Sequence, residues 1–173
     1  MNATLRTTLD AASRLWCGLT RTLDAAQPLA ALAARAYVAH AFFLSGLTKI
    51  RDWDTTLALF TEEYKVPLLP PHLAAFSGTA GELVLPVLLL LGLGGRFAAL
   101  GLSVINVMAV LSLQEIAPAA LGQHILWGSL LAGLAIYGSG SITLDRWMKP
   151  YLFAKLGCAV GDGGQTACCG RAM

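Results

Sequence analysis

One carboxylate stands in an otherwise uncharged stretch. Glu82 sits within HLAAFSGTAGELVLPVLLLLGL, residues 72–93. A second ionisable group, Arg35, lies in the apolar run LAALAARAYVAHAFFLSGL that begins at Leu29. His40 follows in the same run, and Asn106 lies in a third run between Arg96 and Leu113. In hydrocarbon a carboxylate costs about 2.5–3.5 kcal/mol on insertion scales, so it persists where it has a partner or a task. Arg35 is the expected partner. At 1.5 Å per residue it falls about 9 Å from one end of its run, and Glu82 about 15 Å from the opposite end of its own. A long arginine stem reaching about 6 Å closes that gap. His40 and Asn106 fall at a depth close to that of Glu82. A carboxylate beside an imidazole can relay protons, whereas an intramembrane asparagine serves more often as a helix–helix hydrogen bond. The Arg35–Glu82 pair can equally be a structural staple worth about 1 kcal/mol.

Other polar residues carry weaker signals. His124, close in depth to Gln114, Glu115 and Gln123, reads as a solvated loop histidine at a polar mouth, and His72 as a solvated helix start. The cysteines are Cys17, Cys158, Cys168 and Cys169. Three thiols in the tail GCAVGDGGQTACCGRAM could take a soft metal such as copper(I) or zinc. No C-x-x-C spacing or histidine closes such a site, so the expectation is no metal centre, with Cys158, Cys168 and Cys169 as weak candidates in an unstructured or partner-docking tail. The chain has no Walker loop, no dinucleotide-binding glycine fingerprint, and no haem or iron–sulfur spacing. Nothing in it points to nucleic acid.

The elements that must position these residues follow from composition. Of 173 residues, 56% are hydrophobic and 13% charged; soluble domains carry about 25% charged residues. The apolar residues are grouped in runs long enough to cross about 30 Å of hydrocarbon as helices. The expected fold is an all-α membrane protein, a four-transmembrane-helix bundle. Its spans run from about Leu29 to Ile50, His72 to Leu93, Arg96 to Leu113 and Ala119 to Tyr137. Pro28 suits a helix start. Pro86 should kink the second span and free a carbonyl near Glu82.

Two further helices are expected outside the spans. Leu5, Leu9, Ala12, Trp16, Leu19 and Leu23 recur at helical spacing, flanked by Arg6, Arg14 and Arg21. This predicts an N-terminal amphipathic helix on an anionic membrane surface; no secretory signal peptide is recognisable. Between the first two spans, WDTTLALFTEEYKVP (residues 53–67) opens with a capping pattern and carries Trp53, Leu57, Phe60 and Tyr64. It predicts a short interfacial helix, a candidate lid over a cavity that opens outward. With the N-terminus in the cytoplasm, Arg6, Arg14, Arg21, Arg96, Arg146, Lys149, Lys155 and Arg171 fall inside and Lys49, Arg51 and Lys65 outside. The bias places both termini in the cytoplasm. The organisation expected is therefore residues 1–28 as amphipathic segment, 29–146 as membrane domain and 147–173 as cytoplasmic tail.

Three segments carry a family resemblance: R-x4-H-x-F-F-L-S-G-L-T-K-I from Arg35, SGTAGELVLPVLLLLGLGGR from Ser77 and YGSGSITLD from Tyr137. In this order they resemble the DoxX family of small bacterial membrane proteins, over about residues 29–146. The resemblance implies a four-helix membrane fold in the bacterial inner membrane. It carries over Arg35, Gly46, Lys49, Glu82, Gly92, Arg96 and Asp145. The family takes its name from a subunit of a thiosulfate:quinone oxidoreductase, so it suggests a quinone-interacting or membrane-anchoring subunit of a redox system. In that reading Glu82 and His40 give protons to a reduced quinone, Arg35 sets the charge of Glu82, and Asn106 helps to hold the ligand. Electrons must then come from a protein partner, because the chain has no redox carrier of its own. Two alternatives stay open: a non-enzymatic anchor that recruits soluble proteins, and a small metal- or solute-handling protein. The last would need a homo-oligomer, for which glycine-lined helix faces leave room.

Overall fold

The computed structural model of the chain describes residues 3–145 except positions 65, 68, 114, 139 and 141, with side chains from position 12 onward. The cysteine-bearing tail and the side chains of Leu5 and Leu9 lie outside the described residues. The elements are helices α1 (Ala3–Arg51), α2 (Trp53–Glu62), α3 (Pro71–Leu91), α4 (Gly95–Ser112) and α5 (Pro118–Tyr137). No strand occurs among the described residues. Four of these helices, all but the ten-residue α2, are long and apolar enough to cross a membrane.

Chain order dictates the packing. Short connections make α3, α4 and α5 successive antiparallel neighbours, and α1 closes the ring by packing on α3 and α5. Val38, Phe42, Leu89, Ala98, Ala99, Leu102, Leu131 and Leu134 form the core. The outside is as apolar as the inside: Val84, Leu90, Phe97, Leu100, Val104 and Ile125 are all exposed. Helices that are apolar all round belong in lipid or in a large core. With spans of this length, the chain is a multi-pass membrane protein in contact with the bilayer.

The ends of the helices follow local rules. Asp52 caps α2, accepting from the Thr55 amide at 3.1 Å and the Thr55 hydroxyl at 2.7 Å. These bonds hold its carboxyl below the usual carboxylate range. Pro71 and Pro118 each open a helix, where the missing amide has no partner to lose. The α3–α4 turn passes through left-handed Gly92 (φ 72°) and Gly94 (φ 56°).

The amphipathic segment and the first span are not separate elements. They form one helix that runs through Pro28. A proline in a helix interior removes one hydrogen bond and crowds the preceding turn. The chain at Gly140 packs against this stretch: a Cβ there would lie 3.2 Å from Ala31 Cβ and 3.7 Å from Pro28 Cα. Pro86 likewise lies inside an unbroken α3. The consequence at Pro28 is positional: Leu29, the expected start of the first span, is not an end of anything.

Candidate functional site

Helix α1 meets α3 at Gly46. A Cβ at that position would lie 2.9 Å from Leu83 Cγ and 3.2 Å from Glu82 Cβ. The absent side chain lets the two helices approach closely. One turn further along α1, Lys49 then reaches across, and its Nζ bonds Glu82 Oε2. Lys49 also donates to Ser45 at 3.2 Å. The carboxylate is buried and the ammonium half-buried. The partner of Glu82 is therefore Lys49, a residue that reads from sequence as a loop charge at the membrane exit.

Arg35 does not reach Glu82. It is fully buried, and its Nη2 donates to the Ile142 carbonyl at 2.6 Å. It lies against Gly92, where a Cβ would be 2.7 Å from Arg35 Nη1. Nε and Nη1 have no partner among the described residues. Arg35 and Lys49 are fourteen residues apart on one helix, about 21 Å along its axis. The antiparallel register that sets Gly46 beside Glu82 also sets Arg35 beside Gly92. Depth counted along each run takes the ends of α1 and α3 as level, and in the structure they are offset, with Gly46 near the end of α1 beside Glu82 in the middle of α3.

A cavity of about 490 Å³ opens beside the ion pair, between the Lys49 end of α1, the start of α3, the end of α4 and the start of α5. Phe60 and Tyr64 of α2 and the segment after it, with Val66 and Leu69, line it too. The expected lid thus forms a wall of a real cavity. Its polar groups are Lys49, Glu82, Ser45, Ser77, Ser112, Tyr64 and His124, with the Trp127 indole N–H, which has no partner among the described residues, in an otherwise apolar lining. Burial, with the negative charges of Glu63 and Glu82, raises the Tyr64 phenol above its ordinary value of 10.0.

The remaining expected site residues separate. His40 is exposed on the outer surface of α1 and does not line the cavity. It projects from a different face of α1 than Lys49. Asn106 is buried and makes helix–helix bonds: its Nδ2 donates to the His124 carbonyl at 2.9 Å, and its Oδ1 lies 2.8 Å from His124 Nδ1. His124 is therefore no solvated loop residue. It sits on α5, bonded to α4, edge-to-face with Trp127 at 5.1 Å, and it lines the cavity. Its visible signal was Gly128, one turn on and on the same face, where a Cβ would lie 3.2 Å from Asn106 Nδ2. Lys49 could have been found the same way, three residues after Gly46. No group of three or more metal-ligating side chains comes together among the described residues; Cys158, Cys168 and Cys169 lie outside them.

The far end of the bundle holds a second cluster. Asp145 accepts from the Gly94 amide at 2.9 Å and Arg96 donates to the Ile136 carbonyl at 3.4 Å. With Arg35 and Gly92 these residues tie the chain after α5 to the α3–α4 turn. The positions singled out by the family resemblance thus fall into two groups. Lys49 and Glu82 line the cavity beside the α1–α3 contact at Gly46, and Arg35, Gly92, Arg96 and Asp145 lock the opposite end.

No curated protein and no solved structure matches the chain. The family model named DoxX matches residues 30–115, the stretch that contributes Lys49, Glu82, Tyr64 and Asn106 to the geometry above. The match covers α1 from residue 30, α3 and α4, three of the four membrane-length helices, and this chain belongs to the DoxX family.

Proposed function

We propose that the cavity under α2 binds a lipid-soluble molecule with an apolar body and a polar head, and that the protein is the quinone-interacting membrane subunit of a redox system. The observation that carries this is the cavity itself. Small-molecule sites are typically about 300–1,000 Å³, mostly apolar, with a few convergent polar groups. This cavity, at about 490 Å³, has a mostly apolar lining with an ion pair, a histidine and a few hydroxyl groups. Lys49 supplies an N–H donor for a carbonyl head group, and Glu82 keeps the ammonium compensated in a dry wall. The role first assigned to Arg35, setting the charge of Glu82, passes to Lys49. Electrons come from a protein partner. The lysine and arginine bias supports an orientation with both termini cytoplasmic, in which α2 and the cavity face outward, and the family resemblance supports a bacterial inner membrane as the location.

Purification in a mild detergent, with mass spectrometry of co-extracted lipids and quinones, tests this reading. The expected result is a quinone retained by the wild type and lost in Glu82→Gln, with the variant still membrane-inserted. A wild type that retains none, and binds none when it is added, removes the reading.

A second reading, a membrane anchor for a soluble partner, is favoured by one observation. Leu15, Trp16, Leu19 and Leu23 of α1 are exposed in a region that precedes the family match. Under that reading deletion of residues 3–24 abolishes function while Glu82→Gln lowers only abundance.

A further inference from the structure

The Asn106–His124 contact fixes a proton. Asn106 Nδ2 donates to the His124 backbone carbonyl. A carbonyl only accepts, so the amide NH2 must face it and the amide oxygen must face the ring. That oxygen also only accepts, so His124 Nδ1, 2.8 Å away, carries the hydrogen. Turning the ring over would present a carbon to the oxygen and lose the bond. A neutral imidazole has one N–H, so the other nitrogen, Nε2, is left as a lone pair.

Nε2 has no partner among the described residues, and the ring lines the cavity. The Trp127 ring, edge-to-face at 82°, holds it from the side. Lys49 and Glu82 neutralise each other's charge. The α5 wall therefore presents an oriented hydrogen-bond acceptor with nothing to accept. An acceptor left unpaired when a ligand displaces water from it is costly, so the site favours ligands that supply the donor. A cationic donor would have to enter beside Lys49, whose charge already uses the Glu82 carboxylate. A neutral hydroxyl meets no such opposition.

We infer that His124, oriented by Asn106, is the specificity-determining residue of the cavity, and that it selects lipid-soluble molecules bearing a neutral hydroxyl, of the phenol class, over their O-alkylated forms. This rests on the reading of the cavity as a ligand site. Gly128 belongs to the same device, because it leaves the space that Asn106 occupies between α4 and α5.

The test uses the full chain in lipid nanodiscs, with empty nanodiscs as the blank. The probes are para-propylphenol and para-propylanisole, which share ring and tail and differ in the donor. Equilibrium dialysis gives both dissociation constants. The expected wild-type preference for the phenol is about tenfold, the upper range of one neutral hydrogen bond. His124→Phe keeps the anisole affinity and loses the preference. Asn106→Leu reduces the preference although His124 is present, because the ring is no longer fixed. Equal binding of the two probes by the wild type overturns the inference and leaves the cavity reading standing. A preference that survives in both variants, each monodisperse by gel filtration, does the same. Failure of the wild type to bind either probe above the blank overturns the inference and the cavity reading together.

Discussion

Lys49 on α1 and Glu82 on α3 form an ion pair across the point where Gly46 brings the two helices together, and the pair makes one wall of the cavity. The two partners are unequally solvated. The Glu82 side chain is 8% exposed and that of Lys49 20%. Removing either leaves a different remainder, and the difference can be measured.

Lys49→Met leaves a buried carboxylate without its cation. Stranding one member of a buried pair costs up to about 3–5 kcal/mol. Glu82→Leu leaves an ammonium that can turn toward the headgroup region, and its effect is closer to the about 1 kcal/mol of an exposed pair. Thermal unfolding in detergent is expected to rank Lys49→Met below Glu82→Leu, with the double variant nearer the wild type than Lys49→Met. Strictly additive shifts would show that the two residues are not coupled.

Gly92→Ala is expected to destabilise the opposite end of the bundle. Its φ of 72° is strained for any residue with a Cβ, by about 1–2 kcal/mol. The new methyl would also lie 2.7 Å from both Arg35 Nη1 and Thr143 Cβ. The Arg35–Ile142 bond should break, and limited proteolysis should cut near residues 138–145 faster than in the wild type. An unchanged cleavage pattern would mean that Arg35 does not hold this segment.

Gly128→Ala places a methyl 3.2 Å from Asn106 Nδ2. The core there is tightly packed, and overpacking costs about 1–3 kcal/mol. Asn106 is expected to shift and release the His124 ring. Tryptophan emission should change, since Trp127 lies 5.1 Å from that ring. The spectrum of Gly128→Ala should resemble that of Asn106→Leu; two unrelated spectra would break the link.

Tyr64 gives a pH signature. Its phenol is raised by burial first, then by the charges of Glu63 and Glu82. The folded state thus holds this proton more tightly than the unfolded chain does. The stability linked to it is fully present below the ordinary phenol value and is lost as pH rises through the folded value. Ultraviolet titration of wild type against Tyr64→Phe should isolate a phenolate that appears above pH 10.0, the ordinary value. In Glu82→Gln it should appear at lower pH. A Tyr64 signal at the ordinary value in the folded protein would place the ring in water, away from the cavity wall.

The class of this protein and most of its helices are legible in its residues. Runs of apolar residues bounded by prolines and glycines set α3, α4 and α5 to within two residues, and Asp52 with Trp53 and Phe60 set α2. These are local signals: an apolar run must be helical in lipid because every backbone amide needs a partner within its own segment. The sequence also showed that Glu82 required explanation, since one carboxylate in hydrocarbon is costly wherever it sits. What stands beside it is a matter of how the helices pack. Pairing depends on the register of α1 against α3, and a shift of a few residues exchanges Arg35 for Lys49. That register is fixed by contacts far apart in the chain, Gly46 on Leu83 and Gly92 on Arg35. An apolar run does not state how far the ends of two helices are offset: Gly46, five residues before the end of α1, stands beside Glu82, eleven residues after the start of α3. Rotation about the helix axis was equally hidden: it turned His40 out to the surface and brought His124 in, bonded to Asn106. Spacing along one helix states which residues share a face; only packing states what that face meets.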